Sequence, residues 1–324
     1  MYKVLITTVP FGESSLEALK REDIKYVINP FNRKMTEDEL ISIIHEYDIV
    51  IAGTDPITKP VLRNAKKLKM ISRVGIGLNS VDLNTAKELN IKVSYTPDGP
   101  SPAVAELAVN LMLSLLRSSH LSNEQLHKGV WKRFLGRRLG GLNIGIIGFG
   151  RIGKAVYKIV EGFKPSKIMI NEVNKIELSS KYTITEFCNK DKIYQESDII
   201  SIHLPLMKET KNMINYRKMK SMKSDAIIVN TSRGGIINEE DLYSVLQEGH
   251  LGGVALDVFE NEPYDGKLKG IEKCLLTAHI GPMTKDCRTS MEIQSIEEVL
   301  RFIDGEDLIS EVPNHELKAQ LNKR

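Results

Sequence analysis

A guanidinium, an imidazole and two carboxylates fall just beyond short apolar runs in the second half of the sequence. Arg233 lies in Asn230-Thr231-Ser232-Arg233-Gly234-Gly235 and His279 in Thr277-Ala278-His279-Ile280-Gly281, while Asp257 follows Gly253–Leu256 and Glu262 stands five positions further on. If those runs are parallel strands of one open sheet, their carboxyl ends share the edge at which ligands bind. A guanidinium grips a carboxylate through a two-pronged fork, an imidazole passes protons near neutral pH, and a carboxylate beside it favours its charged form. Reduction of a 2-oxo acid requires such a set: a clamp for the carboxylate, a proton donor for the carbonyl oxygen and a group that tunes the donor.

A second motif precedes these. Gly148-Phe149-Gly150-Arg151-Ile152-Gly153 follows the run Asn143–Ile147 and opens a segment in which Ile152, Ala155, Val156, Ile159 and Val160 keep helical period. In that context Gly148 permits a tight turn, Gly150 lets backbone approach a pyrophosphate, and Gly153 lets helix and strand pack closely. Glu172 comes nineteen residues after Gly153, where an acidic side chain accepts hydrogen bonds from the adenosine ribose. Its charge would repel a 2′-phosphate and so selects NAD over NADP, although Lys175 is close enough in sequence to offer a phosphate a partner.

The elements that must position these residues are an alternation of apolar runs and helical patterns, the signature of parallel sheets covered on both faces. One series has runs at Val4–Ile6, Ile49–Ala52, Met70–Val74 and Ile91–Val93, with helices at Glu37–His45 and Leu83–Leu89. The other has six: Asn143–Ile147, Ile168–Ile170, Ile199–Ile202, Ala226–Val229, Gly253–Leu256 and Leu275–Ala278. Three prolines in Thr96-Pro97-Asp98-Gly99-Pro100-Ser101-Pro102 forbid regular structure between the series. A helix follows, with Ser101 as its expected cap and Pro102 in its first turn. One stripe of it carries Val104, Leu107, Ala108, Leu111, Met112 and Leu115, and the opposite face carries Ala105, Val109, Leu113 and Leu116. Two apolar faces suggest that a second subunit covers one of them, hence a homodimer. A last amphipathic helix is expected over Thr289–Ile303, returning to the first domain, and the tail from Asn314 reads as frayed.

Composition narrows the partners. Across 324 residues, 45 Lys and Arg against 42 Asp and Glu leave a formal charge of +3, too even for the sustained field of nucleic-acid or membrane-surface binders. The segment Trp131–Arg138, basic and aromatic, reads as a lead-in to the Asn143 strand rather than a nucleic-acid patch. Three cysteines without a C-x-x-C pair fit a reducing compartment. The N-terminal apolar run is shorter than a signal-peptide core, and Ala103–Leu116 is too short to span a bilayer. A soluble cytoplasmic protein with a small-molecule partner and no metal is expected, the histidines having no paired ligand spacing.

Six stretches in order make the sequence resemble the D-isomer-specific 2-hydroxyacid dehydrogenase family: Val74-Gly75-Ile76-Gly77, Gly148 to Gly153, His203-Leu204-Pro205-Leu206, Asn230 to Gly235, Ala255 to Pro263 and Thr277 to Gly281. The resemblance implies an α/β fold of two doubly wound domains. A Rossmann NAD-binding domain (100–284) would be inserted into a smaller, flavodoxin-like substrate-binding domain (1–99 plus 285–324). It implies that Arg233 clamps the substrate, that His279, hydrogen-bonded to Glu262, is the acid and base, and that Asp257 faces the nicotinamide carboxamide. Backbone amides of Gly75, Ile76 and Gly77 would complete the carboxylate site in the cleft between domains. Further cofactor contacts are implied at Arg151, Ile152, Pro205, Thr210, Thr231 and Ser232. His203 is placed in that set too, with a structural hydrogen bond as its alternative. The D stereochemistry comes only from the resemblance.

Two departures qualify it. Leu78-Asn79-Ser80-Val81-Asp82 replaces the acidic residue and asparagine usual after Gly77. Ala52-Gly53-Thr54-Asp55 stands where relatives that bind phosphoglycerate carry Arg-Ser; Asp55 would repel a phosphate, although Lys285 or Arg288 could supply another anion contact. A 3-phosphoglycerate dehydrogenase is therefore an alternative, and an NAD-sensing corepressor-like interaction protein is a second. Formate dehydrogenase chemistry pairs the histidine with glutamine, and Glu262 argues against it.

Overall fold

In a computed structural model that describes residues 1–173 and 184–313 together with Leu317 and Gln320, the chain divides into two compact units, Met1–Pro100 with Met283–Arg324 and Ser101–Pro282. Lys175 lies outside the described residues. In chain order, the first unit contributes β1 (Tyr2–Ile6), α1 (Glu13–Leu16), β2 (Ile24–Ile28), α2 (Glu37–Ile44), β3 (Ile49–Ala52), α3 (Lys59–Asn64), β4 (Met70–Arg73), α4 (Leu83–Glu88) and β5 (Lys92–Tyr95). The second contributes α5 (Ser101–Arg117), α6 (Ser119–His127), β6 (Asn143–Ile147), α7 (Arg151–Glu161), β7 (Lys167–Asn171), β8 (Thr185–Phe187), α8 (Lys190–Glu196), β9 (Ile199–Ile202), α9 (Tyr216–Lys220), β10 (Ile227–Asn230), α10 (Glu239–Gln247), β11 (Gly253–Leu256) and β12 (Cys274–Leu276). The chain then returns to the first unit in α11 (Lys285–Ile303).

Both sheets are parallel throughout. The first unit's strands run β2-β1-β3-β4-β5, the flavodoxin-like order, and the second unit's run β12-β11-β10-β9-β6-β7-β8, the Rossmann order with one strand added at the end. β3, β4, β9, β10 and β11 are buried at every position, as strands sandwiched between helix layers must be. The helices start where short polar side chains can accept from the first free amides. Thr36 and Glu39 form a reciprocal capping box on α2, and Asp82, Asn189, Asn215 and Asn238 cap α4, α8, α9 and α10.

Several expectations need correcting. β2 and β8 escaped the reading because both are edge strands, only partly buried, without the continuous apolar run of a central strand. Ser101 is the first residue of α5 rather than its cap, and its buried hydroxyl makes no hydrogen bond among the described residues. The second apolar face of α5 needs no partner subunit: Ala105, Val109 and Leu116 share one core with Ala108, Leu111 and Met112, because α5 packs against α7, β10 and β11 of its own unit. Gln320 accepts from the Leu83 amide at 2.8 Å and donates to the Val81 carbonyl at 2.7 Å, while the rest of the expected frayed tail from Asn314, Leu317 apart, lies outside the described residues. Asp55 does not face a ligand either; at 2% exposure it accepts from Thr7 Oγ1 (2.6 Å) and the Met35 amide (2.7 Å) and joins β1 to the β2–α2 connection.

Candidate active site

Each reactive side chain sits in the loop leaving a strand of the second unit's sheet. His279 follows β12 in the left-handed region (φ 52°), a conformation in which histidine is commoner than most residues. Its Nδ1 lies 2.8 Å from Glu262 Oε2. A carboxylate only accepts, so Nδ1 carries the proton and Nε2 is left for chemistry. The imidazole is 41% exposed, open to a reactant. Glu262 is held from the other side, its Oε1 accepting from the Phe259 amide at 3.1 Å.

The loop carrying His279 is shaped by Asp257. At 1% exposure Asp257 accepts from Thr277 Oγ1 (2.6 Å) and the Ile280 amide (2.8 Å) through one oxygen, and from the Gly281 amide (2.9 Å) through the other. Burial pushes its carboxyl above the usual range, against the pull of those donors. Both oxygens thus hold the 277–281 loop in place. Thr277 was missed as a participant, although it lay inside a quoted motif.

Arg233 leaves β10 in a turn organised by Asn230. The Asn230 amide donates to the Arg233 carbonyl (2.9 Å), while its Oδ1 accepts from the Ser232 amide (3.0 Å) and hydroxyl (2.7 Å). The hydroxyl of Ser232 is thereby spent on the turn. A Cβ on Gly234 would fall 1.9 Å from the Phe259 carbonyl oxygen, so glycine lets the Arg233 turn lie against the segment that leads to Glu262.

The glycine motif behaves as its spacing suggests. Gly148 has φ 93°, and a Cβ there would lie 2.3 Å from the His203 carbonyl oxygen; a Cβ on Gly153 would lie 2.1 Å from the Gly148 carbonyl oxygen. Around Gly150 the space is open, and no side chain caps α7, whose first turn begins at Arg151 and Ile152. Glu172 accepts from the Phe149 amide (2.8 Å) and the Val173 amide (2.8 Å), which holds the carboxylate over the glycine turn. Among the described residues, the buried hydroxyl oxygen of Thr231 has no hydrogen-bond partner. An open backbone cradle, an uncapped helix start and an orphaned hydroxyl fit a dinucleotide. Thr210 spends its hydroxyl on the Pro205 carbonyl (2.7 Å) and the Met207 amide (2.7 Å), fixing the turn after β9. His203 Nε2 lies 2.8 Å from Ser201 Oγ, and burial pushes the imidazole down to about 3, so the ring is neutral.

Residues 109–281 match the family model described as D-isomer specific 2-hydroxyacid dehydrogenase, NAD binding domain. The chain belongs to that family. As such it is an oxidoreductase acting on the CH–OH group of 2-hydroxy acids, with NAD as cofactor. It is 35% identical over 307 residues to a hydroxypyruvate reductase of Thermotoga maritima, covering 93% of this chain and 98% of that one. It is 36% identical over 278 residues to a glyoxylate reductase of Thermococcus litoralis, covering 82% and 84%. Among solved structures, the TT0316 protein of Thermus thermophilus superposes with a TM-score of 0.89 at 29% identity, over 96% of this dehydrogenase and all of that chain.

In the dehydrogenase's other unit, the Gly75 turn after β4 departs from expectation. Gly75 has φ 132°, and a Cβ there would meet Arg73 Nη1 at 2.7 Å. Its amide donates to Thr96 Oγ1 at 2.6 Å, so Gly75 has no N–H to give a carboxylate. Ile76 and Gly77 remain as candidates. Leu78, in place of the usual acidic residue, is buried in the core of the first unit.

Proposed function

We propose that this dehydrogenase reduces a small 2-oxo acid to the D-2-hydroxy acid, and runs the reverse oxidation, with Arg233, Glu262 and His279 as its working side chains. The single observation that carries the reading is the 2.8 Å bond from His279 Nδ1 to Glu262 Oε2, which aims an open imidazole from the strand edge that also bears Arg233. Bound NADH supplies the hydride to the substrate's C2. Arg233 grips the carboxylate through its fork. His279 delivers the Nε2 proton to the carbonyl oxygen as that oxygen gains negative charge, and Glu262 stabilises the imidazolium beforehand. In oxidation the same nitrogen takes the hydroxyl proton. Gly148, Gly150 and Gly153, with the Arg151 and Ile152 amides, cradle the pyrophosphate, while Glu172 holds the ribose. Asp257, Asn230 and Ser232 keep the two loops in shape.

Substrate size follows the relatives named for hydroxypyruvate and glyoxylate. The functional unit is a homodimer in the cytoplasm: Leu126, Val130, Trp131 and Leu135 expose 46–104% of their surface along one continuous segment, and a second copy is the partner we infer for it. Mixing the protein with glyoxylate, hydroxypyruvate, pyruvate and 3-phosphohydroxypyruvate, with NADH and NADPH in turn, tests the reading by absorbance. The expected result is turnover of a small 2-oxo acid that carries no second charged group, with NADH in preference to NADPH. NADH binding without turnover of any acid overturns it in favour of a nucleotide-sensing protein.

A further inference from the structure

Two consecutive backbone amides shape the turn that carries Glu262, and two different carboxylates claim them. The Phe259 amide donates to Glu262 Oε1 (3.1 Å), and the next one, of Glu260, donates to Glu239 Oε1 (2.7 Å). The peptide joining Phe259 to Glu260 also packs against Gly234, where a Cβ would fall 1.9 Å from its carbonyl oxygen and 2.6 Å from its nitrogen. Gly234 and Glu239 both belong to the stretch that leaves β10 and opens α10. The stretch that bears Arg233 therefore grips the one that bears Glu262 at two points. All of these residues, with His279, lie in the second unit.

An acidic side chain at the start of a helix commonly serves the helix alone, by offsetting its dipole. α10 is already supplied in that respect. Asn238 caps it by accepting from the Asp241 amide at 2.9 Å, and Glu240 and Asp241 are further acids in its first turn. Glu240 takes the ordinary place of such a residue, 74% exposed and 2.7 Å from Lys267 Nζ. Glu239 is instead partly buried. Burial pushes its carboxyl above the usual carboxylate range against the pull of the Glu260 amide, and the charges of Glu260, Glu240 and Glu262 push it further. A carboxylate kept among three others and partly out of water costs stability. What it secures is the orientation of a peptide two residues before Glu262.

We propose that Glu239 is a positioning residue for the proton transfer: by holding the Glu260 amide it fixes the turn from which Glu262 reaches His279 Nδ1, and it acts on the reaction only through that pair. This rests on the role of Glu262 in the proposed reductase. The requirement is reach rather than charge, because a backbone N–H needs an acceptor at the right distance and nothing more. Without that acceptor the turn relaxes, and a displacement of about 1 Å around a reacting centre is enough to cost up to ~10²-fold in rate.

The test measures kcat and KM for hydroxypyruvate, NADH affinity and melting temperature in Glu239→Asp, Glu239→Gln, Glu262→Gln and the double variant Glu239→Asp/Glu262→Gln. Glu239→Asp keeps the first-turn acid that the helix favours but withdraws the acceptor by one methylene, about 1.5 Å. Its kcat should fall about tenfold, with KM, NADH affinity and melting temperature near wild type. Glu239→Gln gives up the charge but keeps the reach, and its kcat should stay within about threefold. In the Glu262→Gln background, Glu239→Asp should change kcat less than about twofold, because the residue it acts through is already disabled. A role confined to the helix predicts the reverse, Glu239→Asp like wild type and Glu239→Gln destabilised, and that result overturns the proposal while leaving Glu262 in place. An equal loss from Glu239→Asp in the wild-type and Glu262→Gln backgrounds overturns it too. A wild type that turns over no 2-oxo acid, or Glu262→Gln with a wild-type kcat, overturns the reading of Glu262 and this proposal together.

Discussion

At the residue scale the account depends on Glu262 acting through His279. Glu262→Gln keeps an acceptor of the same size for Nδ1 but removes the negative charge beside the imidazole that moves the proton. The kcat for reduction should fall about tenfold or more in the variant, with NADH binding intact; an unmoved kcat removes Glu262 from the mechanism. Arg233, Glu262 and His279 were legible in the sequence because their side chains carry the chemistry and each stands just past an apolar run. The hold of Asp257 on the His279 loop was not legible, since it depends on three donors from a loop about twenty positions downstream folding back onto its two oxygens. The loss of the Gly75 amide to Thr96 Oγ1 was beyond reach, since no pattern in a sequence marks which backbone donor a side chain some twenty residues away will claim.

At the scale of elements, the site is assembled by loops that pack where a side chain would not fit. Gly234→Ala places a methyl group 1.9 Å from the Phe259 carbonyl oxygen, so the turn bearing Arg233 must move away from the segment leading to Glu262. Overpacking of this kind costs about 1–3 kcal/mol. The variant should melt several degrees lower and lose most of its turnover while retaining NADH binding; wild-type kinetics would show that the two turns need not touch. Central strands such as β9 and β11 were read to the residue because burial on both faces leaves an unbroken apolar run. β2 and β8, at the sheet edges, carry no such run. The second face of α5 misled for a related reason: helical periodicity reveals that a face is apolar, and tertiary packing alone decides whether β10, β11 and α7 or a second chain covers it.

At the scale of the whole molecule, the neutral His203 ties stability to pH. The folded imidazole resists protonation down to about 3, whereas the unfolded one takes a proton near 6.5, so its contribution is present above pH 6.5 and is lost as pH falls toward 3. Between pH 7 and pH 5 the wild type should lose about 2 kcal/mol of stability beyond any loss in His203→Gln, read from urea midpoints. Equal losses would place the proton elsewhere. Replacing Trp131 and Leu135 together by Glu should halve the mass measured by light scattering, since charges would then line the apolar segment from α6 to the β6 approach; an unchanged mass would move the subunit contact to another surface. The near-neutral charge and the two sheets describe the frame, but the central claim is that one imidazole moves the proton. Steady-state reduction of hydroxypyruvate by NADH, measured side by side for the wild type and His279→Gln, tests that most directly. The account predicts a fall in kcat of about 10²- to 10⁴-fold with NADH affinity preserved, and a kcat within a few-fold of wild type would contradict it.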